Sequence, residues 1–260
     1  MHCRADLPQA ANAARDEGKI VVILAREKEK DMRFGFASVL AIGIALVANT
    51  WLHAQMDRDR IIPGGGIFVQ GWTGKIDESS VRQGRTLNDS KLVQEGSALH
   101  ITAGPATTFW NPANTAKGDY TIKATFLEPK FMELNNHPHS YGIFIGGNGM
   151  GTDQMSLVYC AAYGDGTAFV RGFGPAVFNM LRAQPFTSVG KAAGIGQPVK
   201  QEIAWIVKGG RADCSINGAV IASYTSDQLV AAGKLTSLDG VYGLRLTHNV
   251  DTVITGFAKS

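Results

Sequence analysis

The sequence predicts an all-β fold, a β-sandwich of two antiparallel sheets in a single domain. From Ile67 onward, short apolar runs alternate with glycine-containing turns at the spacing typical of a sandwich or barrel. The 31 glycines, and a charged fraction of 18% against a usual value of about 25%, suit a turn-rich β protein rather than a disordered chain. The sequence contains no heptads, no long amphipathic helix and no repeat of fixed period.

The segment DYTIKATF carries the clearest strand pattern. Tyr120, Ile122, Ala124 and Phe126 alternate with polar residues, which predicts a half-buried strand with these four side chains facing inward. Other strands are predicted at IFVQGW, SALHITAG, YGIFIGG, SLVYCAAY, TAFVRGFG, KQEIAWIVK, RADCSI and AVIASY, and two more close the chain in VYGLRLTHNVDTVITGF.

Three dipeptides mark the turns between these strands. Asp165-Gly166 and Gly209-Gly210 each separate two apolar runs, and Asn217-Gly218 is the signal for a type I′ hairpin, in which both central residues have positive φ. Residues 226–239 contain SDQLVAAG, which predicts one short helix capped by Ser226.

The N-terminal region predicts export. Residues 32–54 have the pattern of a signal peptide: Arg33, an apolar run from Phe34 to Trp51, and small residues before a cut after Ala54. The alternative is an uncleaved membrane anchor, since the run approaches the ~18 residues of a spanning helix, but its alanines and glycines favour cleavage. We expect a secreted or periplasmic protein without membrane contact after cleavage.

These features divide the chain into four parts. Residues 1–31 mix acidic and basic side chains ahead of Met32, which indicates an upstream extension from a misassigned start codon. Residues 32–54 form the signal peptide, residues 55–66 a polar, then Pro- and Gly-rich flexible leading segment, and residues 67–260 the sandwich domain.

The charge balance argues against nucleic acid as a partner. Residues 55–260 hold 18 basic and 16 acidic side chains, and the basic ones are scattered singly instead of forming a cluster. The oligomeric state has no signature in the sequence.

Two cysteines fall within the predicted exported domain. Cys160 and Cys214 form either a disulfide, as an oxidising compartment favours, or two buried free thiols. Spacing alone does not decide between these alternatives, because it does not reveal whether the two side chains meet.

Several motifs together resemble the concanavalin A-like lectin/glucanase sandwich. They are Trp72, WNP at residues 110–112, DYTIKATF, HSYGIFIGG, the Asn-Gly hairpin and the closing DGVYGLRLTH. Within that fold the chain resembles secreted bacterial domains of the 3-keto-disaccharide hydrolase-like group, over roughly residues 67–258. The resemblance implies a jelly-roll sandwich with a concave, sugar-facing sheet. The Glu-x-Asp-x-x-Glu string of laminarinase-type members is missing, so no catalytic residue is carried over by position.

A polar and aromatic set around residue 140 predicts a carbohydrate-binding rim. Aromatic faces pack on the C–H faces of sugar rings, and polar side chains bond to the hydroxyls. The alternative is ordinary packing of strand aromatics and loop histidines, and for Arg171 and Arg245 an exposed position or a structural ion pair. The predicted ligand-binding residues are Trp110, Asn111, His137, His139, Tyr141 and Arg171.

No metal site or cofactor is predicted. His137 and His139 are two residues apart, so their rings lie on one side of an extended segment, a spacing compatible with metal ligation. Further ligands would have to come from Asn135, Asn136, Glu133 or the distant Asp153, which is a weak set. Calcium near Asp153 and Asp165 is the remaining alternative, although a hairpin turn explains Asp165.

Hydrolysis requires acid and base groups, and the sequence identifies no certain pair. A glycosidase usually uses two carboxyls about 5–10 Å apart. The candidate catalytic residues are Glu128, Glu133, Asp153 and His139. We therefore expect a protein that binds glycans or small glycosides. The alternatives are a hydrolase of glycosides or 3-keto-glycosides, and a structural or surface-interaction module without a small-molecule site.

Overall fold

The computed structural model describes residues 58–260, and most of these residues lie in fifteen strands and two short α-helices. The predicted upstream extension (1–31), the signal peptide (32–54) and residues 55–57 of the leading segment lie outside the described residues. The strands are β1 (Gly66–Ile67), β2 (Thr73–Ile76), β3 (Lys91–Glu95), β4 (Ala98–Ala103), β5 (Thr107–Ala116), β6 (Tyr120–Glu128), β7 (Ser140–Asn148), β8 (Ser156–Tyr163), β9 (Thr167–Phe173), β10 (Val177–Pro185), β11 (Val199–Lys208), β12 (Arg211–Ile216), β13 (Ala219–Thr225), β14 (Gly240–Leu246) and β15 (Val250–Lys259).

The helices are short connections between strands. Helix α1 (Glu78–Arg82) follows β2, a 3-10 helix (Leu87–Asp89) precedes β3, and α2 (Ser226–Leu229) follows β13. The predicted short helix is therefore present, but its N-cap is Thr225, whose side chain forms a capping box with Gln228. Within residues 58–260, no helix is both long and apolar enough to cross a membrane.

The strands form two sheets packed face to face, which confirms the predicted sandwich. The eight-stranded sheet has the order β1-β3-β4-β15-β6-β11-β12-β13, and the seven-stranded sheet has the order β10-β9-β8-β7-β14-β5-β2. The ladders are antiparallel except for the two-residue pairing of β1 with β3, which is parallel.

The core lies between the sheets, and β6 fills it as its alternation predicts. Tyr120, Ile122, Ala124 and Phe126 are each at most 5% exposed, whereas Lys123 between them is exposed. Trp205 of β11 is fully buried and crosses the sandwich, donating its indole N–H to the carbonyl oxygen of Ile143 on the opposite sheet at 2.9 Å. This bond satisfies the one polar group of a large core side chain.

A disulfide joins the two sheets. Cys160 of β8 is bonded to Cys214 of β12, with Cα atoms 5.8 Å apart and a sequence separation of 54. Both side chains are fully buried, so the alternative of two free thiols does not describe this structure. In the chain-entropy model, closing a loop of this length stabilises the fold by about 4 kcal/mol.

The outer face of the seven-stranded sheet carries a second apolar cluster. Aromatic side chains from β5, β7, β8 and β9 pack there, and the β7–β8 loop (residues 149–155) folds over them with Met150 and Met155. The buried members of this cluster are Trp110, Phe144, Leu157, Tyr159, Ala161 and Phe169. The seven-stranded sheet therefore packs one face against the core, and the β7–β8 loop covers part of its other face.

Candidate functional site

A cavity of about 490 Å³ opens on the outer face of the seven-stranded sheet. Its walls include Lys75 of β2 and Phe173 of β9, strands that lie near opposite ends of the sheet order. A single cavity can touch both only if the sheet curves toward it, so this face is concave. We call this space the outer-face cavity.

Arg245 of β14 does not line the cavity itself but contacts two residues that do, Asp77 and Phe173. Its guanidinium is 3% exposed and donates from Nη1 and Nη2 to the two carboxylate oxygens of Asp77, at 2.8 and 2.6 Å. It also lies over the rings of Phe173 and Tyr159, 5.0 and 5.8 Å from their centroids. Burial alone would lower the pKa of Arg245, but the Asp77 carboxylate outweighs it, so the pKa is raised and the arginine stays charged.

Asp77 shows how this pairing shapes the cavity wall. It occupies the N-cap of α1, yet its side chain makes no capping bond because Arg245 binds both of its oxygens. Glu78 and Ser79 in the first turn of α1 consequently face the cavity. The bidentate pair thus anchors α1 against the concave face.

The β7–β8 loop supplies the opposite wall. Lys75 donates to the carbonyl oxygen of Thr152 at 2.9 Å and lies 3.5 Å from the carboxylate of Asp153. Asp153 keeps 96% of its side chain exposed, while Met155 and Phe173 provide apolar surface. The cavity therefore combines carboxylates, a cation and apolar faces.

The predicted binding residues do not assemble around this cavity. Trp110 is 4% exposed, and the β7–β8 loop covers it so closely that a Cβ at Gly151 would lie 3.6 Å from its ring. Tyr141 is fully buried between the sheets, stacked on Phe126, with its hydroxyl accepting from Gln201. Neither side chain offers a face to a ligand, because loop packing covers the first and inward orientation buries the second.

Two other predicted rim residues make local bonds. Asn111 accepts from the backbone N–H of Ala113, and Arg171, exposed on the outer face, donates Nε–H to Asn179 at 2.8 Å. The arginine lies over the ring of Phe169, 5.3 Å from its centroid. Neither residue lines the outer-face cavity.

Of the predicted acidic residues, Asp153 lies at the cavity and the other two do not. Glu128 is 4% exposed at the end of β6, where burial raises its pKa to about 7 against an opposing hydrogen bond from the Met132 N–H. Glu133 pairs with Lys130 at 2.7 Å on the surface. Sequence reasoning missed Asp77 and Glu78, although two acids directly after a strand are a common sign of a helix start.

Three histidines converge at the end of the sandwich where the β6–β7 loop meets the β14–β15 turn. His137, His139 and His248, called here the histidine cluster, bring one ligand atom each to within 4.8 Å of one another. His139 is 4% exposed, and burial, followed by the neighbouring His248 and His137, lowers its pKa to about 3. Sequence reasoning identified the first two histidines but not His248, which lies more than 100 residues away.

The calcium candidates do not form a group. Asp165 accepts from the N–H and hydroxyl of Thr167, and Asp153 contacts Lys75. Within residues 58–260, the histidine cluster is the one set of three or more metal-ligating side chains that comes together.

Comparison with solved structures places the chain among known sandwiches. A Bacillus subtilis protein of unknown function with a galectin-like fold superposes with a TM-score of 0.50 at 14% identity, over 74% of this chain and 89% of that one. The fold is galectin-like. This likeness confirms the predicted concanavalin-like sandwich, while the nearness to 3-keto-disaccharide hydrolase-like domains stays a prediction.

Two further likenesses are weaker. The carbohydrate-binding module CBM66 from Bacillus subtilis superposes with a TM-score of 0.48 at 7% identity, covering 75% of this chain and 99% of that one. The endo-β-1,3-glucanase from Pyrococcus furiosus gives 0.49 at 11% identity, covering 76% and 91%. No protein-family model matches the chain, and no curated protein matches it in sequence.

Proposed function

We propose that the protein binds carbohydrate, a sugar unit of a glycan or a small glycoside, in the outer-face cavity. The observation that carries the proposal is the composition of this one concave space, which is lined by the apolar Phe173 and Met155 and by the acidic Glu78 and Asp153. Sugar recognition uses this combination, because ring C–H groups pack on apolar surface while hydroxyls donate to carboxylates. The volume of about 490 Å³ falls within the range of small-molecule sites.

The predicted signal peptide supports an exported role for this binding. A secreted or periplasmic protein meets free glycans and glycosides, and the disulfide between Cys160 and Cys214 suits such an oxidising compartment. We therefore propose an extracytoplasmic carbohydrate-binding protein.

A second candidate function is hydrolysis of the bound glycoside. Three carboxyl groups line the same cavity, and glycosidases use two, one as proton donor and one as base or nucleophile. Asp77 is held by both terminal nitrogens of Arg245, which leaves Glu78 and Asp153 as the groups for this chemistry.

The test is calorimetric titration of the purified protein with neutral mono-, di- and polysaccharides and with 3-keto-glucosides, with product release followed in parallel. We expect Phe173→Ala to weaken saccharide binding roughly tenfold, the value of one aromatic face at about 1.4 kcal/mol. Phe68→Ala is the matched control, because Phe68 is 62% exposed and lies outside the cavity. The affinity of Phe68→Ala for saccharide should equal that of the native protein.

The possible outcomes distinguish a binding protein from a hydrolase and test whether the cavity is the site. Binding without product supports the binding protein, whereas product release that is lost in both Glu78→Gln and Asp153→Asn supports the hydrolase. If no saccharide binds, or if Phe173→Ala binds as tightly as the native protein, the cavity is not the site.

A further inference from the structure

We propose that His137, His139 and His248 form a binding site for a late first-row divalent transition metal, with Zn²⁺ as the reference ion and one coordination position open to solvent. The site is separate from the outer-face cavity, and neither candidate function above requires it.

The strand pairing brings the histidines together. Strands β7 and β14 are antiparallel neighbours with Tyr141 opposite Leu246, so the residues before β7 and those after β14 leave the sheet at the same edge. The pairing continues past the strand ends, where the N–H of Thr247 donates to the carbonyl oxygen of Ser140 and the N–H of Ser140 donates to the hydroxyl of Thr247. His139 directly precedes Ser140 in sequence, and His248 directly follows Thr247.

The spacing of the ligand atoms is close to that of a bound metal. At the full separation of 4.8 Å, three atoms are equidistant from a point about 2.8 Å from each, whereas Zn–N bonds are about 2.0–2.1 Å. A shift of roughly 0.7 Å per ring, within the reach of small side-chain rotations, closes the site.

Hydrogen bonds orient two of the three rings for this role. Nδ1 of His248 lies 2.9 Å from the carboxylate of Asp59, and Nδ1 of His137 lies 3.0 Å from the amide oxygen of Asn136. Both oxygens only accept, so each Nδ1 carries the proton, and in a neutral imidazole the lone pair that can bind a metal is then on Nε2. A carboxylate on the far nitrogen of a ligating histidine is the usual arrangement at metal sites.

His139 provides the independent sign of a ligand. Its side chain is 4% exposed, and its Nε2 is buried without a hydrogen-bond partner. A buried ring nitrogen without a partner is unfavourable, and such groups are rare in native proteins unless an ion or water meets them. A metal at the centre of the cluster supplies that partner.

The donor set selects the class of metal. Three imidazole nitrogens suit Zn²⁺, Cu²⁺, Ni²⁺ or Co²⁺ and not the oxygen-seeking Ca²⁺ or Mg²⁺. Within residues 58–260, no carboxylate or cysteine joins the three histidines in this group, and His137 is exposed. The fourth position of a tetrahedral ion is therefore left to water or to a ligand.

The surrounding bonds hold the site in place. Asn249 binds the N-terminal segment through the N–H of Arg60 and the carbonyl of Arg58, and its own carbonyl accepts from Asn135 in the β6–β7 loop. Asp59 is 7% exposed and binds the Ser80 hydroxyl with its second oxygen. This part of the predicted flexible leading segment is thus tied to the sandwich.

The experiment is titration of the full chain, made without a histidine tag, with Zn²⁺ by calorimetry and with Co²⁺ by visible absorption. We expect one ion per chain and the intense visible bands of a four-coordinate Co²⁺ site. His139→Gln and His248→Gln should each weaken binding at least a hundredfold, and Asp59→Asn by roughly 10–100-fold. His100→Gln is the matched control and should leave the affinity unchanged.

Near-UV circular dichroism checks that each variant is folded, and the exposed His137→Gln serves as the ligand variant least able to disturb folding. Absence of stoichiometric binding by the native chain would overturn the proposal, as would unchanged affinity in the folded ligand variants. Azide should shift the Co²⁺ bands by entering the open position. A Co²⁺ spectrum that azide leaves unchanged would contradict the proposal that one coordination position is open.

Discussion

The outer-face cavity and the histidine cluster differ in how their buried ionisable groups are paired. Beside the cavity, Arg245 is buried with its charge matched by both oxygens of Asp77. In and beside the loop that carries the histidines, Nε2 of His139 and Oε2 of Glu128 are buried with no hydrogen-bond partner. In the first region the buried charge is paired within the chain, although Nε of Arg245 makes no hydrogen bond, and the shape of this region is what a ligand meets. The second region contains buried polar atoms that make no hydrogen bond to any of the described residues.

The largest effect on stability should come from breaking the ion pair between Arg245 and Asp77. We expect Arg245→Met to lower the free energy of unfolding by about 3 kcal/mol, because it leaves Asp77 without its counter-ion and removes the cation from above Phe173 and Tyr159. Urea denaturation measures the change. The same variant should lose saccharide binding, since α1 is then no longer anchored.

Arg171→Met is the matched control for this change. Arg171 projects from the same sheet face but is exposed, so its loss should alter stability by less than about 0.5 kcal/mol. Adding Asp77→Leu to Arg245→Met should recover part of the lost stability, because a buried pair replaced as a unit leaves no unpaired charge. Equal losses in Arg245→Met and Arg171→Met would show that burial of the ion pair does not determine how much Arg245 contributes to stability.

A smaller effect should follow from neutralising Glu128. Burial, with a contribution from Asp251, raises its pKa from 4.5 to about 7, so the folded state holds a proton that the unfolded state has released. Stability therefore falls as pH rises from about 4.5 to 7, by roughly 2–3 kcal/mol, and then levels off.

Glu128→Gln should remove this slope. Unfolding measured in urea at pH 4.5, 6 and 8 should show the native protein losing stability relative to the variant across that interval. Glu133→Gln, which changes an exposed carboxylate paired with Lys130, should keep the native slope. If Glu128→Gln showed the same pH dependence of stability as the native protein, a group other than Glu128 would be responsible for it.

The smallest effect concerns His100, a cation matched like Arg245 but only half-buried. The hydrogen bond that His100 donates to Asp251 is the largest influence on its pKa; burial acts in the opposite sense, and a second bond donated to Glu95 adds to the first, so the pKa rises from 6.5 to about 9. Its stabilisation is complete below pH 6.5 and is lost as pH rises to about 9. Because 26% of the side chain is exposed, we expect only about 1 kcal/mol.

Comparing His100→Gln with the native protein at pH 6 and pH 9.5 measures this contribution. The difference in unfolding free energy should be present at the lower pH and nearly absent at the higher one. A difference that does not change with pH would assign the effect of the variant to packing instead of charge.

Local patterns were sufficient to predict much of the fold. Strand β6 and the hairpin of β12 and β13 were recognised because alternation and the Asn217-Gly218 turn, where both φ values are positive, act over neighbouring residues. Strands β5 and β10 were missed for physical reasons. The first contains Pro112, and the second is an edge strand with two register shifts and mostly exposed side chains.

The sites were less predictable, because they join residues that are distant in sequence. Arg245 was recognised as an ion-pair candidate, but its partner Asp77 lies 168 residues away. His248 meets His139 only through the register of β7 and β14, which local periodicity does not reveal. Trp110 has the residue type of a sugar platform, yet the β7–β8 loop covers it, and loop paths depend on tertiary packing.

Asp59 gives the two regions a thermodynamic connection. One of its oxygens bonds to His248, and the other bonds to Ser80 on α1, whose neighbours Glu78 and Ser79 line the outer-face cavity. Whatever factor a metal ion imposes through this carboxylate on the affinity for saccharide, the saccharide must impose in equal measure on the affinity for the metal. A coupling carried by this one buried side chain would be measurable from either site.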